Sequence, residues 1–456
     1  MQIPIFSSMS DQLRIEIKDF RAIKEANIKM NGITVVAGVN GCGKSTLAKL
    51  VYNVVDSIIH HDEILIESFE QYLKPIVRFA GVLKHEMPDI LPIEWVLKIE
   101  SNILNQNYNE NITNQKVSVK QYFSSAWEMF HKSITDDNRR NRIYNSLATT
   151  LFDYAKIVDR DENNNYDQHE LISALLDLID TSFQSLIISH ETLSSDLIYT
   201  RISKVVFKLS SKINCDFYEF EVPLLSTATR TSPVIYSIDD ILYIETPKYI
   251  GENLNSDDSY LNVLNNKLKE KSVDTLNRCE FIETLIMNNI IQGDVELETQ
   301  SSLHFDDFRY KRLDGLIFNL SEVATGVKSF SILQLLLKNG LLTNKTLLII
   351  DEPEAHLHPQ WIVEYARVLV LLNKELGVKF LIASHSPDMV SAIRYIRKKE
   401  GTLSTLEYYL AEESPENRFQ YNYKALGQDI DPIFKSFNIA LDRINQYGVS
   451  NSDDLF

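Results

Sequence analysis

The sequence predicts an α/β fold, with a mixed or parallel sheet flanked by helices and a large helical insertion. Three observations carry this. The apolar run Ile33–Ala37 leads into the glycine-rich segment Gly38-Val-Asn-Gly-Cys-Gly-Lys44-Ser45 and then into a helical pattern, Thr46–Tyr52. The final third of the chain alternates helical and strand patterns, which requires a parallel sheet covered by helices. Between residues 61 and 225 long helical patterns dominate instead.

Along the chain, Leu13, Ile15 and Ile17 alternate with Arg14, Glu16 and Lys18, the period of a half-buried strand. Residues 26–30 and 33–37 flank Asn31-Gly32, a dipeptide that predicts a tight hairpin. In the helical stretch, Tyr122, Phe123, Trp127 and Phe130 share one face. Leu171, Leu175, Leu178 and Ile179 share another, continued by Phe183, Leu186 and Ile187. The polar stretch 159–167 between them has little reason to fold alone. Heptads do not persist, so a long coiled coil is not expected. Strand character returns at Asp240–Glu245, Asp294–Glu298 and Leu316–Phe318. Then follow a helix at 329–337, a buried strand at 346–350, a helix at 361–372 and a strand at 378–383. Phe434, Phe437, Leu441 and Ile444 form an amphipathic stripe closed by Gly448, read as a helix packed on the core or a docking helix for a partner. The expected domains are an N-terminal lobe (1–60), the helical insertion (61–225), a second α/β part (226–425) and a C-terminal helix and tail (426–456).

Composition narrows the classes. Hydrophobic residues make up 44% of 456, enough for a packed core. No apolar run is long enough for a membrane-spanning helix, and the N-terminus lacks the basic and apolar regions of a signal peptide. Cys42, Cys215 and Cys279 are too scattered for a disulfide framework or zinc site. A soluble cytoplasmic protein is expected. The net charge of −17 argues against coating nucleic acid nonspecifically, though not against a local groove. The basic clusters at 139–142, 267–271 and 394–399 are read as solvated helix faces.

Chemistry concentrates in four motifs. Residues 38–45 fit G-x-x-x-x-G-K-[ST], whose glycines let backbone N–H groups turn onto phosphate oxygens at a helix N-terminus. Gly38, Asn40, Gly41, Gly43, Lys44, Ser45 and Thr46 are the candidate nucleotide contacts, with Lys44 for the terminal phosphates and the Ser45 hydroxyl for Mg²⁺. The strand 347–350 ends in Asp351-Glu352: the first suits the Mg²⁺ shell, the second the orientation of water. The next strand ends in Ser384-His385-Ser386-Pro387, where His385 can sense a γ-phosphate. Thr325-Gly326 opens a helix and offers a hydroxyl and an N–H to an anion, its own or that of a second subunit. Glu354-Ala-His356-Leu-His358-Pro359 follows the acids. Its histidines at i and i+2 share no helix face, so a loop at a subunit contact is favoured over a metal pair.

This ordered set resembles the ABC-type ATPase head, and more narrowly its RecF/SMC-like and OLD-like branch, over roughly residues 10–60 and 240–400. The resemblance implies ATP and Mg²⁺ as cofactors and a head-to-tail homodimer or higher homo-oligomer that sandwiches nucleotide. Lys44, Ser45 and Asp351 would bind phosphate and metal, Glu352 would polarise water, and His385 would sense the γ-phosphate. Thr325 and Gly326 would close over the ATP of the opposite subunit. The usual Ser-Gly-Gly signature appears here as Thr325-Gly326-Val327, and the glutamine loop is not placed. Slow hydrolysis, or ATP as a structural clamp, therefore stays open. The stretch after residue 400 is too short for the nuclease domain fused to OLD proteins, so a separate effector is expected. By size and architecture the chain most resembles the ATPase subunit of Septu-type bacterial antiphage systems. That implies an HNH nuclease partner, sometimes alongside a retron, and a chain that is not itself a nuclease. The alternatives are a RecF/SMC-like repair clamp on duplex DNA and the ATPase of a sister defence system with a TOPRIM nuclease.

Overall fold

The computed structural model describes residues 13–61, 64, 76, 108–155, 168–191, 195–209, 213–226, 234–245, 259–270, 279–300, 305–355, 357–427 and 429–435. The chain divides into two compact units: Met1–Ile59 with Ile198–Phe456, and His60–Leu197.

The first unit is built on a ten-stranded sheet in the order β5-β4-β1-β2-β13-β12-β3-β11-β10-β6. In sequence these strands are β1 (Leu13–Phe20), β2 (Ile23–Met30), β3 (Ile33–Ala37), β4 (Cys215–Glu219), β5 (Val222–Leu225), β6 (Asp240–Ile244), β10 (Thr346–Asp351), β11 (Lys379–Ser384), β12 (Leu406–Glu413) and β13 (Tyr421–Ala425). A separate three-stranded sheet contains β7 (Gly293–Gln300), β8 (Phe305–Arg312) and β9 (Ile317–Asn319). In the large sheet β12, β3, β11, β10 and β6 are parallel, whereas β2, β1, β4 and β5 pair antiparallel. β13 joins the two halves, antiparallel to β12 and parallel to β2. The fold is thus α/β with a mixed sheet, as the alternation of patterns predicts.

Helices of this unit are α1 (Lys44–Ile59), α6 (Ser259–Lys269), α7 (Glu280–Thr284), α8 (Thr325–Lys338), α9 (Pro359–Leu376) and α10 (Pro387–Glu400). Every residue of β3, β10 and β11 is buried, the mark of strands covered on both faces. Alternate residues enter different cores because strand side chains alternate in direction. Leu348, Ile350, Phe380 and Ile382 pack with Phe330, Leu369 and Met389 of α8, α9 and α10. Leu347, Ile349 and Leu381 pack with Leu47, Val51 and Val54 of α1. The helix α8 is also tied to β7: Gln334 Nε2 donates to Asp294 Oδ1 at 3.0 Å, and Lys338 Nζ reaches the same oxygen at 2.6 Å.

The second unit contains α2 (Tyr108–Ser133), α3 (Asp137–Ala155) and α4 (Gln168–Glu191), with α2 and α3 both packed on α4. Phe123, Leu147, Leu175, Ile179 and Phe183 are fully buried there. Asp180 of α4 pairs with Lys116 at 3.2 Å and with Lys120. A short helix, α5 (Ser195–Thr200), runs into a π-helical turn over Arg201–Val206. No helix among the described residues is long and apolar enough to cross a membrane.

Three expectations are corrected. First, Asn31-Gly32 does not make a hairpin, because β13 and β12 lie between β2 and β3. Gly32 instead serves close packing: a Cβ there would lie 2.5 Å from the Thr405 carbonyl oxygen, and the Gly32 carbonyl accepts from Phe380 N at 2.7 Å. Second, residues 198–225 are not insertion. β4 pairs with β1 from Leu13–Glu219 to Ile17–Cys215, and Ile198, Tyr199 and Ile202 pack in the core around α1. The apolar positions 198, 199, 202, 205 and 206 read as a continuation of the helical pattern, which hides the boundary. Third, Arg397 is not on a solvated face. It is fully buried, bonded to Asn373 and to Thr405 Oγ1, and burial pushes its pKa down to about 10. The polar stretch 159–167, together with Phe437, Leu441, Ile444 and Gly448 of the C-terminal stripe, lies outside the described residues.

Gly32→Ala is expected to destabilise the fold by about 1–3 kcal/mol, because the obstructing atom is backbone and cannot swing aside. Urea unfolding of the variant against the parent measures it.

Candidate active site

The site is assembled by strand register. Asp351 pairs opposite Ala383, and Ser384 opposite Ala37, so β10, β11 and β3 end together. Their carboxyl edge therefore carries Gly38–Ser45, Asp351-Glu352 and His385 side by side. In open α/β sheets this edge is where ligands bind.

The glycine-rich loop is shaped from several directions. Gly41 and Gly43 have φ of 84° and 97°, the left-handed region that a Cβ disfavours. Gly38 is packed against Cys42 Sγ and Ala411 Cβ, at 2.8 and 2.9 Å from where a Cβ would stand. Tyr423 on β13 donates its hydroxyl to the Cys42 carbonyl at 3.0 Å, holding the loop from beneath. Leu47 N bonds the Gly43 carbonyl at 2.9 Å, so the loop runs directly into α1. Lys44 is nearly buried, and its Nζ donates to the carbonyls of Gly38 at 3.0 Å and Val39 at 3.1 Å. No carboxylate pairs with it among the described residues, so its charge is not neutralised.

Asp351 sits beneath this loop. Burial raises its carboxyl above the usual range, opposed by hydrogen bonding from Ser45 and from Tyr243. Tyr243 of β6 donates to Oδ2 at 3.0 Å, while Oδ1 is buried without a partner. An orphaned carboxylate oxygen beside a serine hydroxyl is a hard-oxygen pair that fits Mg²⁺, which takes few protein ligands and completes its shell with water and phosphate. Among the described residues no group of three or more His, Cys, Asp or Glu could hold a metal alone.

Glu352 has φ of 53°, a left-handed conformation unusual for a residue with a side chain. The peptide is held there by Glu352 N donating to the Ala383 carbonyl at 2.8 Å. Its carboxylate and the His385 ring are about equally exposed, 41% and 42%. The His385 Nδ1 atom is 3.5 Å from Glu352 Oε1 and 3.2 Å from Glu354 Oε1. Ser386 caps α10 by accepting from Met389 N at 3.3 Å, with Pro387 as the first helical residue.

The structure does not bring Thr325 and Gly326 to the loop of their own chain through any described contact. Gly326 packs instead on Trp361 and Leu357, where a Cβ would stand 2.9 and 3.3 Å from side-chain atoms. His358 caps α9 by accepting from Gln360 N at 3.4 Å; His356 lies outside the described residues. Sequence reasoning missed Tyr243 and Tyr423, which reach the site from strands far along the chain and carry no local signal. It also missed the inward turn of Glu354. A second acid three residues after Asp351 was the available clue.

A family model described as "AAA ATPase domain" matches residues 13–390, most of the chain. No curated protein matches it. Among solved structures the chain is similar to an SMC head bound to the C-winged helix domain of ScpA, at 11% identity, 92% coverage of this chain, 98% of that one and TM-score 0.33. A second is an SMC head with an extended coiled coil bound to the C-terminal domain of ScpA from Pyrococcus furiosus, at 11%, 95%, 98% and 0.32. A third is the SMC head domain from Thermotoga maritima, at 10%, 92%, 99% and 0.32. At these scores the superpositions carry no functional weight.

The buried Asp351 charge opposes folding when no cation is present. Because its pKa is raised by burial, the metal-free fold gains stability as pH falls through that raised value and loses it as pH rises. Asp351→Asn is expected to raise the stability of the metal-free protein at neutral pH by about 1 kcal/mol and to remove any gain on adding Mg²⁺ with nucleotide. Thermal denaturation with and without Mg²⁺-nucleotide checks both signs.

Proposed function

The chain belongs to the AAA ATPase domain family, and from that premise we propose that it binds ATP with Mg²⁺ at the edge formed by β3, β10 and β11 and hydrolyses it between paired copies. The observation that carries this reading is the register placing the unneutralised Lys44, the Ser45–Asp351 oxygen pair and the Glu352–His385 pair on one sheet edge. Loop N–H groups and Lys44 would hold the phosphates. Ser45 and Asp351 would hold Mg²⁺, which when bound screens the phosphate charge. Glu352, half-exposed and fixed by its backbone bond to Ala383, would orient the attacking water. His385 would donate to the terminal phosphate and so report its presence.

The pairing of copies is supported by Thr325 and Gly326. Gly326 is packed on Trp361 and Leu357, and neither residue makes a described contact with its own loop, which is compatible with the helix start serving a partner's nucleotide. The finer reading is an ATP-gated subunit of a bacterial antiphage complex that controls a separate HNH nuclease. Its support is the pair of sequence motifs Glu354–Pro359 and Ser384–Pro387, together with a helical unit at His60–Leu197 between the two parts of the ATPase.

Lys44→Ala is expected to weaken ATP binding about thirtyfold or more, read by isothermal calorimetry, because a charged hydrogen-bond donor to phosphate is lost. Glu352→Gln is expected to keep ATP while turning it over about a hundredfold more slowly, and to accumulate dimers in ATP by light scattering. Monomers alone under those conditions would defeat the composite site. For the nuclease reading, the purified chain is expected not to cleave DNA with Mg²⁺. Cleavage that persists in Glu352→Gln would overturn it, and salt-sensitive duplex binding by the chain alone would favour a repair clamp.

A further inference from the structure

Glu354 is a second buried acid at this edge, beside Asp351, and the chemistry derived so far does not use it. Its side chain is only 6% exposed. One oxygen, Oε1, accepts two hydrogen bonds from the exit of β11 and faces the His385 ring. Ser384 Oγ donates to it at 2.9 Å and His385 N donates at 2.8 Å, while His385 Nδ1, buried and without a hydrogen bond of its own, lies at 3.2 Å. Ser384 Oγ in turn accepts from Ser386 N at 3.1 Å, so the cluster runs on to the cap of α10. The second oxygen, Oε2, is buried without a partner. Burying a carboxylate this far costs several kcal/mol unless it is bonded. A neutral side chain of the same shape could accept the same serine and backbone bonds. What a neutral group would lack is the charge that favours a proton on the facing imidazole nitrogen.

We propose that Glu354 is a positioning residue for His385: its buried carboxylate draws Nδ1 inward, fixes the proton there, and leaves Nε2 as the nitrogen presented to the nucleotide. This rests on the ATPase reading of the site and deepens it. The alternative partner for Nδ1 is Glu352 Oε1 at 3.5 Å. Two carboxylates thus compete for one ring nitrogen, and the buried one is nearer. Were Nδ1 to settle on Glu352, the oxygen meant to orient water would be occupied and the ring would turn from the phosphate. Glu354 therefore keeps the two outward groups apart. The logic is that of carboxylates that orient catalytic or metal-binding histidines through their second nitrogen.

The test is E354Q in the full chain, which retains an Oε1 acceptor for Ser384 and the backbone N–H and removes the charge alone. The expected result is a fall in kcat of about ten- to a hundredfold, the range for lost orienting partners, with affinity for a non-hydrolysable ATP analogue nearly unchanged. The double variant E354Q/H385A should hydrolyse no more slowly than H385A, because Glu354 acts through the histidine. Losses that multiply in the double variant would overturn the proposal. A second readout is independent of turnover. In ¹⁵N-histidine NMR of the nucleotide-free chain, the His385 signals, identified by their loss in H385A, should move in E354Q toward the other tautomer. Unmoved His385 signals would overturn the proposal whatever the ATPase assay gives. A parent chain without ATPase activity whose His385 signals still move would refute the catalytic reading of the site and leave the Glu354–His385 contact standing.

Discussion

The constraint on which everything rests is the parallel register of β3, β11 and β10. Hydrogen bonding between three fully buried strands fixes where each ends. Asp351 is the last residue of β10, Glu352 and His385 are the first residues beyond β10 and β11, and the loop carrying Lys44 and Ser45 leaves directly from the end of β3. A slip of one residue would send side chains to the opposite face and separate Asp351 from Ser45. Two hydrophobic cores, one on each side of the sheet, hold that register. The edge that carries the candidate site is a by-product of packing that would be needed in any case.

Against that rigid base the polar groups are unevenly satisfied. Glu219, a buried acid far from the edge, accepts from Tyr236 N at 3.0 Å and Ser237 N at 2.8 Å, and no orphaned oxygen remains on it. Asp351 and Glu354 each retain one buried oxygen with no partner. Natural interiors satisfy nearly all such atoms. Other buried polar atoms also lack partners, but among the described carboxylates the two orphaned oxygens stand within three residues of one another at this edge, which fits the proposed site.

The parts of this arrangement that were legible in the sequence are those encoded locally. Gly38–Ser45, Asp351-Glu352 and His385 each follow an apolar strand, so the strand pattern and the chemistry are read in one window. The parts that were not legible depend on which strands become neighbours. Asn31-Gly32 carries the local chemistry of a hairpin, yet β12 and β13 arrive from the far end of the chain and pair between its arms. The same arrival delivers Tyr423 to Cys42. The boundary at 198–225 was hidden for a related reason: β4 is a strand only because β1 offers it an edge. Buried Arg397 shows the limit of charge patterning, since a run of basic residues on a helix gives no sign of which member faces inward.

The backbone at Glu352 has a consequence of another kind. A left-handed conformation costs a residue with a Cβ about 1 kcal/mol or more, and glycine escapes most of it. Selection for heat resistance alone would therefore favour glycine here, and under the proposed mechanism the sturdier protein would no longer turn over nucleotide. If Glu352 has the role proposed for it, durability and activity pull in opposite directions at this single position.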